Sequence, residues 1–355
     1  KPFFSLAPGG NNGFLLIDRT LRNTNLKPEE TRSFEAGLDI GLLSNKLSAE
    51  ITYYKTNTIN QVLSIPVPAP SGYNTRIINA GNIQNQGIEA LLHVKAVDTK
   101  EFKWNINISF GTNANKVLRL DTAQKKTFLS SPQNLGAIVV EDGRKYGEIY
   151  TAGFKRNSLG EIVVNNGLPI IENDPSIYAG NYNPDWTGGI ANLFQYRSWT
   201  FSFLIDIRKG GVIISGTQNL MAAKGISERT LANRGSDFVI PNTVNEDGSK
   251  NTVPVNPQAY WQAVSASGGE QFIYDATNAR VREASLTYAI PTKYVNASFV
   301  KGASLSLIGR NLFFLKNNKD GIDPESALGT GNNQGIEYAS IPTTRSLGIY
   351  LKLNF

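Results

Sequence analysis

The side chains in this sequence that are capable of acid, base or metal chemistry are few, because it has one histidine and no cysteine. His93 lies in QGIEALLHVKA, two and four residues from Lys95 and Glu89. No serine and aspartate stand with it in a nucleophile–base–orienter arrangement, so it reads as a polar-face side chain and not as a catalytic base. The oxygen cluster Asp320, Asp323 and Glu325 in DGIDPES offers hard ligands that suit Ca²⁺, yet it lacks the ligand positions and central glycine of an EF-hand loop. A polar loop is the favoured reading there, and again for Glu172 and Asp174 in ENDP. Asp206 and Glu35 would make a glycosidic acid pair only if folding set them at the proper separation, which spacing does not indicate. No Gly-rich phosphate loop follows a strand pattern. The expectation is a chain with no catalytic residue, no resident cofactor and no protein-held metal. A net charge of +6 comes from scattered Lys and Arg without a basic run, which argues against nucleic acid.

The elements that would position these groups are strands. Apolar and polar residues alternate in FKWNINISF, in SFEAGLDIGL and, with Leu204 as an exception, in WTFSFLIDIRK. About nine strands of ~10 residues are predicted, near 32–42, 47–57, 84–96, 101–112, 186–197, 199–208, 279–290, 301–312 and 344–355. Their connections alternate strictly between short and long, the long ones near 58–83, 113–185, 209–278 and 313–343. Residues 1–31 would be a loop or partial strand leading in. The polar 222–235 segment is helix-compatible, and EIYTAGF and EIVVNNG are expected to pair as a hairpin inside the second long link.

Alternation alone fits a soluble sandwich or a membrane barrel; link length discriminates between them. Outer-membrane barrels put short turns at one rim and long loops at the other, so an all-β, antiparallel transmembrane barrel with long extracellular loops is predicted. No run reaches the ~18 apolar residues of a membrane helix. On this reading Glu35, Asp39, Glu89, His93, Lys95, Asp206 and Arg208 face a wet lumen, since a lipid-facing Arg at mid-membrane costs about 2–4 kcal/mol. The terminal RSLGIYLKLNF would turn Leu347, Ile349, Leu351, Leu353 and Phe355 to hydrocarbon. Nine strands that start and finish in one direction cannot close antiparallel, and an open edge in lipid leaves backbone groups unpaired. Further strands are therefore expected before residue 1.

The ordered set NTNLKPEETRSFEAGLDIGLLSNKLSAEITYYKTNTINQVL, SGYNTRIINAGNIQNQGIEALL, YNPDWTGGIANLFQYRSWTFSFLIDIRKGG, RVREASLTYAIP, LSLIGRNLFFL, DGIDPE and IPTTRSLGIYLKLNF resembles the carboxyl-terminal barrel segment of SusC/RagA-like TonB-dependent transporters of the Bacteroidota. The resemblance spans residues 20 to 355. It implies the carboxyl-terminal part of a 22-stranded barrel whose plug, signal peptide and TonB box lie outside this chain. It also implies a SusD-like surface lipoprotein as lid, contact with the TonB complex through the plug, and import of an oligosaccharide or oligopeptide across the outer membrane. Tyr350, Leu351, Leu353 and Phe355 would then form the signal read by the barrel-assembly machinery, and outer-membrane lipid would surround the strands. A non-transporting adhesin or structural or secretion-complex barrel is the alternative.

Four aromatics in the long links are the remaining candidates. Tyr182, Trp186, Tyr260 and Trp261 are placed near the extracellular mouth, where rings stack on sugars, meet a lid, or anchor at the membrane interface. The interface reading is preferred for Trp186, which starts a strand; lid or substrate contact stays open for Tyr260 and Trp261.

Overall fold

In the computed structural model the described residues are 4–6, 15–17, 19–79, 81–120, 125–131, 135–266, 269–295, 299–318 and 320–355. Nine long strands form one sheet: β1 (Glu30–Leu42), β2 (Leu47–Ile59), β3 (Asn82–Asp98), β4 (Phe102–Arg119), β5 (Trp186–Tyr196), β6 (Trp199–Lys209), β7 (Asn278–Ile290), β8 (Gly302–Lys316) and β9 (Ser346–Asn354). Each pairs antiparallel with its sequence neighbours, so spatial order equals chain order. Among the described residues β1 and β9 each pair on one side only. Within 1–31, Phe4–Leu6 pairs with Leu15–Ile17 and Thr20–Leu21 with Thr75–Arg76, both apart from the nine-stranded sheet. Residues 1–3, 7–14 and 18 of that segment lie outside the described residues.

Tight turns close one rim. Leu43, Ser44 and Asn45 all take positive φ between β1 and β2, and Arg197 does so between β5 and β6, where its guanidinium donates to Glu101 at 3.2 Å. Every long link leaves the opposite rim.

Directly paired residues share a face, which makes the two faces readable from register. One row runs Leu38, Ile51, Ala90, Phe110, Gly188, Ile207. Another runs Phe201, Leu286, Leu307, Ile349. The other face carries Asp39, Glu50, Leu91, Ser109, Gly189, Asp206. In β7 a bulge at Arg282 inserts one extra residue, so Arg280 and Glu283 fall on the polar face although their numbers differ in parity. The apolar rows are not covered by protein: Leu347 and Ile349 are 80% and 75% exposed. A soluble protein would bury such rows, at about 25 cal/mol per Å².

The dry core lies elsewhere. Leu63, Ile78, Leu135, Ile138, Phe154, Ile214, Phe272 and Ile336 pack in one cluster drawn from all four long links, and Val117 at the far end of β4 is its one member from the nine strands. The links are knitted together, since Ile162–Val164 pairs parallel with Thr243–Asn245, and Ile214–Ser215 parallel with Ile336–Glu337. Two helices belong to this cap, α1 (Gly216–Ala223), whose first turn is capped by the Ser215 hydroxyl at 3.1 Å from the Gln218 N–H, and α2 (Pro257–Ala266). Of the helix-compatible segment 222–235, Ala222 and Ala223 form the end of α1 and Glu228–Leu231 a 3₁₀ turn. The expected hairpin is reduced to one antiparallel bridge, Arg156 with Ile162, just past its first segment: Glu148–Phe154 itself pairs with Ala137–Glu141 and Ile171–Asn181, while Ile162–Asn165 pairs with Leu168–Pro169 and the third link.

Candidate functional site: the polar wall and its cap

Glu35, Asp39, Glu89, His93, Lys95, Asp206 and Arg208 all fall on the polar face, brought there by register alone. Glu35 opposes Tyr54, Glu89 opposes Thr52, and Lys95 opposes Asn105. His93 Nδ1 is hydrogen-bonded to Asn107 across the β3–β4 pair. Glu50, Glu89, Thr187 and Asp206 border a concavity of about 480 Å³. Asp39 directly opposes Glu50, a like-charge pair that strand pairing by itself disfavours. A water-filled space reduces that repulsion to a small fraction of its value in a dry interior.

At the cap end the wall meets the fourth link through arginines that sequence reasoning did not single out. Arg282 holds Asp206 through two nitrogens, Nε at 3.1 Å, and reaches Glu325 at 2.6 and 3.0 Å. Arg280 is almost completely buried and donates to Asp323 Oδ1 at 2.9 Å and to Thr343 Oγ1 at 3.1 Å, with its guanidinium 4.2 Å from the centroid of Phe314. Asp323 Oδ2 accepts from the Thr343 N–H at 3.0 Å. Burial opposes ionisation of Asp323, but the hydrogen bonds from Thr343, Glu325 and Arg280 outweigh it and hold the carboxyl below its ordinary range. Arg208 donates to the Tyr182 carbonyl. The motif RVREASLTYAI carries both arginines, and the bulge that aims them has no local signature.

These contacts assign partners to the loop carboxylates, and burial corrects one aromatic expectation. The carboxylates of DGIDPES do not converge: Asp320 pairs with Arg229 at 2.7 Å and accepts from the Tyr274 hydroxyl at 2.6 Å, whereas Asp323 and Glu325 serve Arg280 and Arg282. Among the described residues no group of three His, Asp or Glu side chains is placed to hold a metal. Tyr182 is not a surface contact. It is 6% exposed within the cap core, where burial raises its phenol. Gly147 and Gly335 face its ring and Cβ so closely that an added Cβ would stand 2.3 and 2.6 Å away.

Trp186 shares a face with Gly188 on the apolar side, at the cap end, its ring 5.8 Å from Phe110. Tyr260 and Trp261 sit on α2 with rings edge-on at 5.2 Å, and Tyr260 meets Phe238 edge-on at 5.5 Å. In β9, Tyr350 opposes Ser306 on the polar face and Leu351 and Leu353 lie on the apolar face. Phe355 stacks on Phe299 at 5.4 Å.

Comparison with known proteins adds to this geometry. The family model described as TonB dependent receptor-like, beta-barrel matches residues 4–201. TonB-dependent receptor P3 of Formosa agariphila is 24% identical over 97% of this chain and 36% of its own length. TonB-dependent receptor SusC of Bacteroides thetaiotaomicron is 23% identical over 88% of this chain and 31% of its own length. The structure of the RagAB peptide transporter superposes with a TM-score of 0.73 at 20% identity, covering 100% of this chain and 38% of that one. The fold is therefore shared, and the chain spans about a third of the length of the curated relatives it matches.

Proposed function

The chain belongs to the TonB-dependent receptor-like β-barrel family of the outer membrane, and from that premise we propose that the protein of which it is a part actively imports a nutrient oligomer. The supporting observation is the reversed polarity of the sheet: apolar rows stand uncovered on one face, charged rows on the other, and among the described residues the dry clusters cap a single rim. In this reading the strands β1–β9 are the carboxyl-terminal part of a closed barrel, their apolar rows face outer-membrane lipid, and Trp186 belongs to the interfacial girdle. The polar wall lines the path of the substrate. The cap is extracellular and meets a SusD-like lipoprotein, while a plug outside this chain couples to TonB. Tyr350, Leu351, Leu353 and Phe355 present the closing strand to the assembly machinery.

The cargo is an oligosaccharide or an oligopeptide; RagAB, whose structure shares the fold, is a peptide transporter. The test uses a deletion strain complemented with the full-length gene and fed fluorescent oligosaccharide and oligopeptide pools. Uptake that requires the gene and stops when the proton gradient is discharged supports import. Equal uptake with and without the gene contradicts it.

A further inference from the structure

The β6–β7 link carries a cleft that neither the wall nor its ion pairs use. It opens between the last turn of α1 and the first turn of α2, and its volume of about 440 Å³ falls within the roughly 300–1,000 Å³ of small-molecule sites. The half-buried ring of Trp261 forms one side, braced by Tyr260, which Phe238 braces in turn. Ala222 and Pro257 lie buried beneath. The polar contributors are Lys224, Thr230, Arg234, Asn256 and Gln258, and among the described residues no carboxylate lines the cleft. Arg234 Nη2 donates to the Gly225 carbonyl and to the Thr230 hydroxyl, which fixes the guanidinium in place. Its remaining N–H groups, and the Lys224 ammonium, have no partner among the described residues.

A held guanidinium, a free ammonium, a side-chain amide and an indole wall are complementary to a sugar ring bearing a negative charge. The ring's C–H face lies on the indole, its hydroxyls reach the Gln258 amide, and its anionic group meets Arg234 and Lys224 through charge-assisted hydrogen bonds. An extended peptide is served less well. All lining residues come from helices and turns, so there is no strand edge for a peptide backbone to pair with.

We propose that this cleft binds a unit of an acidic oligosaccharide, a pyranose carrying a carboxylate or sulfate ester. The proposal builds on the import reading and names its cargo class. The test is calorimetric titration of the full-length protein in detergent with trigalacturonate, a sulfated galactose disaccharide, neutral maltotriose and triglutamate.

One of the two acidic sugars is expected to bind at least about tenfold more tightly than maltotriose and triglutamate, since a charge-assisted hydrogen bond contributes more than the ~1.4 kcal/mol of one decade. The carboxylate and sulfate arms show which anion is preferred. Trp261→Ala and Arg234→Met are each expected to weaken that binding about tenfold or more by the same arithmetic. Lys224→Met, an exposed change that leaves the fold intact, should weaken it less and flatten its salt dependence. Binding of neither acidic sugar, equal binding of maltotriose or triglutamate, or unchanged affinity in all three variants overturns the proposal. Titration needs no energised membrane. A cleft that binds in a strain showing no gene-dependent uptake removes the import reading alone, and gene-dependent uptake with a silent cleft removes this proposal alone.

Discussion

Replacing Asp323 by Ala removes the nearest counter-charge of a guanidinium that is 2% exposed. Arg280 keeps Thr343 at 3.1 Å and Glu325 at 3.4 Å, so part of the interaction survives. The Thr343 N–H, the Glu325 N–H at 3.1 Å and the Thr343 hydroxyl all lose their acceptor. Breaking one side of a buried pair costs about 3–5 kcal/mol, and the remaining Glu325 places the expectation at the lower end. About 3 kcal/mol corresponds to roughly a hundredfold in an opening equilibrium. The loss is local to the β8–β9 link, because the same carboxylate joins that link to β7. Hydrogen exchange resolved by mass spectrometry should show amides of 317–345 exchanging about a hundredfold faster, on the arithmetic above, while β2–β4 amides stay protected. The double variant Arg280→Met with Asp323→Leu should recover part of the protection, since it removes the unpaired buried charge but leaves the Thr343 and Glu325 N–H groups without their acceptor. Protection unchanged in Asp323→Ala, or no recovery in the double variant, would refute the idea that this pair fastens the link.

Acid should open the same link. Because the folded Asp323 carboxyl lies below its ordinary value, its stabilisation is complete above ~pH 4 and fades as pH falls through the folded value; exchange in 317–345 should accelerate below ~pH 4, and less in Asp323→Asn. Leu307→Arg, on an apolar row near the middle of β8, should lower barrel stability by about 2–4 kcal/mol, read as a drop in the denaturant midpoint in liposomes; Ser304→Arg, on the half-buried polar face of the same strand, should cost much less. Gly335 has φ +82° and faces Tyr182, so Gly335→Ala adds strain to a clash and should cost more than ~1 kcal/mol of cap stability, read by limited proteolysis of the links.

The wall was legible because its strands alternate and its turns are short: each observed strand begins within two residues of its predicted start, as β3 does at Asn82 against 84. Its far ends were less so. β4 runs to Arg119, beyond the predicted 112, because the strand continues out of the wall into the cap. Cap strands such as AIVVE are buried on both faces and carry no alternation, so local reading could not distinguish them from any apolar run. Their pairings are worse still for sequence reasoning. Ile162–Val164 finds its partner in the next long link, about 80 residues on, a contact with no local signature. The bulge at Arg282 hid the arginine pair for a related reason, since one inserted residue reverses parity and sets Arg280 and Glu283 on one face. Tyr182 misled because a tyrosine between asparagines in NYNPDW has the composition of an exposed loop, whereas Gly147 and Gly335 make room for its ring in the core.

The reversed polarity of the sheet supports every later step, and the absence of cysteine from this chain leaves the nine strands without a native thiol. Single cysteines at 304, 305, 307, 349, 350 and 351 in the full-length protein, in native outer membranes, are treated with a charged, water-soluble maleimide. Cysteines replacing Ser304 and Tyr350, on the polar face, should react, and those replacing Leu305, Leu307, Ile349 and Leu351 should react only after detergent extraction. Labelling of the leucine and isoleucine positions in intact membranes, with the serine and tyrosine positions silent, would contradict the account.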